Sequence, residues 1–111
     1  MPVWNVSADI MWLMSIEADY KMVLDEIGVN KEMLECLIWY ESRNVEDAIG
    51  DAGRAFGVLQ FWQSTFNQYK KRYGAEWLEY KNASHQIILA DLMVREDINN
   101  LTHWTAYKFC R

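Results

Sequence analysis

Glu41 closes an apolar helical run, standing seven residues after Leu34, four after Leu37 and three after Ile38. Residues at those spacings share one helix face, so the carboxyl group emerges from an apolar stripe at the edge of a core. Desolvation there disfavours the ionised form and raises the pKa. The product is a carboxylic acid able to give its proton to a leaving oxygen near neutral pH. The competing reading is a helix-terminal carboxylate turned to water, the commoner fate of a glutamate. Three glycines, Gly50, Gly53 and Gly57, punctuate the following loop, which closes on Val58-Leu59-Gln60. Glycine permits turns closed to other residues and lets a ligand come close to the backbone. Gln60 offers two amide donors and a carbonyl acceptor, suited to a polar ligand or to bracing the loop. Ser42, beside the acid, has either a ligand, Glu41 or its own helix end as partner. Asp51, Asp47 and Glu46 add three carboxylates to the same loop, each either a partner for Glu41 or a solvated loop charge.

Helices must carry these groups. One Pro and five Gly among 111 residues, with many good helix formers, predict a mainly helical domain. Leu13, Ile16, Tyr20, Val23 and Ile27 recur at helical spacing, with Ser7 or Ser15 available as a cap and Gly28 as a stop. Asn30 is placed to cap a second helix, Lys31 to about Ser42, with Glu32 and Glu35 near its positive end. Residues 43–58 lack a helical stripe and read as a long loop with room for a short hairpin. Ser64 opens a third helix ended by Gly74. Ser84 caps a fourth, roughly His85 to Ile98, and "LTHWTAYKF" forms a last helical piece.

Composition narrows the partners. Hydrophobic residues make up 51%, which buries enough surface for one domain across residues 1–111 to fold without metal or disulfide help, and no cofactor is implied. The net charge of −5 argues against nucleic-acid binding, which needs a basic face, and offers no attraction toward an anionic surface. No run reaches the roughly 18 apolar residues of a membrane span. The start lacks a basic, long-apolar export signal. The expectation is a monomer made in the cytoplasm and acting after release, or else a mature secreted domain. His85 and His103 have no second His or Cys at ligand spacing, so no metal site is expected. Cys36, in an apolar helix, and Cys110, near the tail, are expected as buried free thiols ahead of a disulfide. Tyr69, Tyr73, Trp77 and Tyr80 read as core ahead of a sugar-stacking wall.

The stretch "ESRNVEDAIGDAGRAFGVLQFWQSTF" resembles the catalytic core of the soluble lytic transglycosylases and goose-type lysozymes. The matching positions are Glu41-Ser42, Ala48, Gly53, Gly57, Val58-Leu59-Gln60 and Thr65. "GDAGRAFGVLQF" also follows the goose-type pattern without a gap. The resemblance is best over residues 31–70. It implies a lysozyme-like α+β fold, mainly helical, with a long glycine-containing active-site loop or hairpin. It implies cleavage of the β-1,4 link between N-acetylmuramic acid and N-acetylglucosamine in peptidoglycan strands. In that frame Glu41 is the general acid, and Ser42, Gly57 and Gln60 shape the substrate site. Asp51 holds the place of the carboxylate that positions water in an inverting hydrolase. The second goose-type Asp is replaced by Trp62, and the downstream Tyr-Asn-Ala-Gly of the transglycosylases is missing, with Tyr107 or Trp104 nearest to that tyrosine's place. The expected function is a muramidase. The alternatives are a lytic transglycosylase leaving 1,6-anhydro ends, and a non-catalytic glycan-binding module of the same fold. A phage lysin, free or virion-associated, fits such a domain.

Overall fold

The computed structural model describes residues 20–111. The expected helical positions Leu13 and Ile16, and the caps Ser7 and Ser15, lie outside them. Helix α1, Tyr20–Ile27, buries Tyr20, Val23 and Ile27, the positions anticipated from their spacing, and Leu24 beside them. Gly28, at φ +71°, opens a 3-10 turn over Gly28–Asn30. Helix α2, Lys31–Ser42, then buries Leu34, Leu37, Ile38 and Ser42. It ends where Arg43 and Asn44 turn left-handed, with φ of 54° and 65°. The Arg43 amide closes that end on Trp39 O at 3.0 Å, and its guanidinium lies 4.8 Å from the Trp39 ring centre.

Residues 43–58 form more than a loop. Three two-residue strands, β1 (Ile49–Gly50), β2 (Ala55–Phe56) and β3 (Phe61–Trp62), make an antiparallel meander. Ile49 pairs with Phe56, Phe56 with Phe61, and Ala55 with both Gly50 and Trp62. A 3-10 turn, Asp51–Gly53, joins β1 to β2.

Helix α3, Gln63–Arg72, follows β3 directly. Helix α4, Ala83–Glu96, is the centre of the molecule: every residue from Gln86 to Val94 is buried. Helix α1 packs along it, as do α2 and α3. A helix buried on every side is a core helix, and the others are arranged about it. Two caps differ from expectation. Helix α4 is capped by Asn82, whose side chain accepts from His85 N, and Ser84 lies buried inside it. Asn30 does not cap α2; its amide instead donates to Asp91 Oδ1 at 2.6 Å. Asp91 is buried at 4% exposure and also meets Arg95 at 2.9 Å, and a buried carboxylate of this kind recruits donors more strongly than a helix end does.

The chain closes with two 3-10 turns, Ile98–His103 and Thr105–Phe109. The last is fastened to α2 by a Cys36–Cys110 disulfide with Cα atoms 5.8 Å apart. The expected free thiols are thereby corrected: α2 and the C-terminal turn pack side by side, a proximity across 74 residues that neither local sequence reveals.

Candidate active site

Helix α2, the meander, the start of α3 and the junction of the two C-terminal turns enclose a cleft of about 220 Å³. Glu41 lies at its inner end, half-buried as the apolar face of α2 requires. One carboxyl oxygen accepts the Ala106 amide at 3.3 Å. Burial raises the Glu41 pKa above the ordinary 4.5, the Ala106 amide pulls it back, and the negative charge of Asp51 pushes it up again; the net direction is upward. Glu41 therefore holds its proton to higher pH than a free glutamate does, and its half-buried carboxyl, bonded to the Ala106 amide, is not a helix end turned wholly to water.

Asp51 also lines the cleft, from the turn between β1 and β2. Its backbone is left-handed, φ 50°, as is that of the next residue, Ala52 at 56°. Non-glycine residues adopt this conformation at a cost that surrounding structure must offset. The Asp51 side chain is held by Trp62, whose indole nitrogen donates to Asp51 Oδ2 at 3.0 Å. The residue standing where the goose-type pattern has a second aspartate is thus a donor to the first.

Gln60 lines the cleft with φ 50°, and its amide donates to both Ala48 O (2.9 Å) and Gly57 O (3.0 Å). It braces the loop with both donors, leaving its carbonyl oxygen as the available acceptor. That oxygen lies over Gly50, where an added Cβ would sit 2.3 Å away. Gly57, at φ +90°, is buried against protein: a Cβ there would fall 2.3 Å from Gln86 Nε2. The close approach expected of a ligand is made by Gln86. Gly53, at φ +91°, has open space where its Cβ would be.

Ser42 is buried and donates to Ile38 O at 3.0 Å, the helix-end role among its alternatives, with no bond to Glu41. Trp104 reaches the cleft, edge-on to Phe61, and its indole donates to Leu59 O at 2.9 Å. Tyr107 packs against the core and does not line the cleft. Of the aromatic stretch, Tyr73 is core, Tyr69 and Tyr80 are partly buried against it, and Trp77 is exposed.

Several cleft residues carried no signal in the sequence. His103 stands at the rim, with Nε2 2.9 Å from Tyr69 OH, and Thr105 lies beside it. Gln86 is fully buried and ties the loop to α4: it donates to Phe56 O and Tyr80 O and accepts from Leu59 N. Among the described residues no cluster of three or more His, Cys, Asp or Glu is arranged to hold a metal ion. None of the described helices is long and apolar enough to cross a membrane.

No match was found among curated proteins or among solved structures. The family model of the transglycosylase SLT domain, however, matches residues 20–108, which span both walls of the cleft and the glutamate at its inner end. The chain belongs to the transglycosylase SLT domain family, lysozyme-like enzymes that act on peptidoglycan.

Proposed function

We propose that this domain cleaves the β-1,4 bond between N-acetylmuramic acid and N-acetylglucosamine, with Glu41 as general acid, and that the substrate's own 6-hydroxyl completes the reaction. The observation that carries this reading is a half-buried Glu41 whose pKa is raised by its surroundings. Glu41 gives its proton to the glycosidic oxygen as the bond to C1 breaks. The sugar's acetamido oxygen stabilises C1, and the carboxylate left on Glu41 then takes the 6-hydroxyl proton as that oxygen closes on C1. Glu41 ends protonated, so the cycle needs no second carboxylate and no cofactor. Trp104, Thr105 and His103 line the cleft from the C-terminal turns, and Gln60 lines it from the loop that its amide braces through Gly57 O.

A second reading keeps the muramidase expected from the sequence. It is favoured by Asp51, which lines the same cleft and has one oxygen fixed by Trp62 while the other is free to hold a water. Mass analysis of digested peptidoglycan separates the two. Anhydro-muramic ends are expected; reducing ends would transfer the second step to Asp51 and water. Loss of all cleavage in Glu41→Gln, with the fold intact, is common to both, and full activity of that variant would remove both.

A further inference from the structure

On the far side of Trp62 from the cleft lies a separate groove of about 460 Å³ between the meander and the segment before α4. Trp62 and Ala55 border both, so the groove opens off the cleft across one indole. Its character is the reverse of the cleft's. The cleft holds two carboxyl groups, Glu41 and Asp51; the groove is lined by no Asp or Glu and by two cations, Arg54 and Lys81. Both are exposed, and neither has a carboxylate partner among the described residues. The Arg54 guanidinium sits 5.4 Å from the Trp62 ring centre and the Lys81 ammonium 5.6 Å from that of Phe56. Aromatic faces thus hold two positive charges over one depression, in a chain whose net charge is −5.

We propose that this groove is a subsite for the carboxylates of the peptide stem carried by the muramic acid unit bound in the cleft. The proposal rests on the peptidoglycan reading above. A peptide covalently attached to a sugar in the cleft starts next to Trp62. Its negative charges are repelled by Asp51 on one side of that ring and met by Arg54 and Lys81 on the other. Tyr80 forms part of the wall, and its hydroxyl is already donated to Phe61 O, so it contributes shape.

The test compares whole peptide-bearing peptidoglycan with strands stripped of peptide by an amidase, for the wild type and for Arg54→Gln/Lys81→Gln. The ratio of kcat/KM, peptide-bearing over stripped, is expected to fall about threefold to tenfold in the double variant, the yield of two exposed charge contacts, and the fall should shrink as salt is raised. Arg54→Lys should restore part of it. An unchanged ratio would overturn the proposal. Titration with a soluble stem peptide, followed by NMR, separates this outcome from failure of the glycosidase reading. A wild type that cleaves neither substrate yet binds the peptide through Arg54 and Lys81 keeps the groove and loses the reaction. A wild type that cleaves but shows no saturable peptide binding loses the groove.

Discussion

At the residue scale the molecule turns on one carboxyl group and its three influences. Burial raises the Glu41 pKa, Asp51 adds to it, and the Ala106 amide opposes both. Replacing Glu41 by Gln keeps size and leaves the Ala106 amide an acceptor but removes the proton donor. Cleavage should fall about 100- to 10,000-fold, read from release of soluble fragments from purified walls. The same variant should be more stable at neutral pH. A raised pKa means the folded state binds that proton more tightly than the unfolded chain. The stabilisation is complete below the ordinary 4.5 and is lost as pH rises through the raised value. Thermal melts of Glu41→Gln should therefore exceed those of the wild type at pH 7, with the gap closing toward pH 4. In the proposed mechanism activity needs the protonated form of Glu41, so its alkaline limb should follow the raised pKa. Asp51→Asn removes a negative charge that pushes Glu41 up, and should move that limb to lower pH. This centre was legible in the sequence because Leu34, Leu37 and Ile38 put Glu41 on an apolar face, and burial follows from spacing. The Ala106 amide was not, since a backbone donor looks the same at every position until tertiary packing brings it to a partner.

At the element scale the loop from Ala48 to Gln60 is held as a rigid floor by Gln86 of α4. Three backbone groups depend on that side chain: Leu59 N, Phe56 O and Tyr80 O. Gln86→Leu keeps the volume and orphans all three. At about 1–3 kcal/mol for each buried group left unpaired, it should be among the most damaging single changes. Gly57→Ala attacks the same contact from the other side. It adds a Cβ at 2.3 Å from the Gln86 amide on a backbone at φ +90°, a conformation costing about 1–3 kcal/mol for a side-chain-bearing residue. Both should lower the melting temperature, by about 4–8 °C per kcal/mol in a domain of this size. The loop's glycines and its hairpin potential were visible in the sequence. The glutamine was not: a buried Gln inside a helix is written with the same letter as an exposed one, and only the missing Cβ of Gly57 marks its place. The cap of α2 was misread for a related reason: Asn30 is a good cap in isolation, but the buried Asp91, 61 residues away, takes its side chain. In α4 the cap is Asn82, two residues before the expected Ser84, and both are good cap residues by type.

At the scale of the whole molecule, the disulfide joins the helix that carries the acid to the turn that carries its hydrogen-bond donor. A bridge with this sequence separation should contribute about 2–4 kcal/mol. Cys36→Ser/Cys110→Ser, or the wild type under reductant, should therefore melt earlier. If the turn also drifts from Glu41, the loss of an amide that lowers its pKa moves the alkaline limb of activity to higher pH, opposite to Asp51→Asn. Both cysteines stood in the sequence, yet their pairing depends on how α2 meets the last turn, a tertiary contact across 74 residues. The same bridge gives the candidate site a covalent topology of its own. Every cleft-lining residue, from Glu41 to Thr105, lies inside a macrocycle closed at positions 36 and 110. The corner from Arg43 to Asp47 is exposed along its whole length and is the open place for a protease. A cut there opens the ring without releasing a fragment, so the nicked enzyme runs as one molecule until a thiol is added. Reduction then sends Glu41 away on one piece and the rest of its cleft on the other.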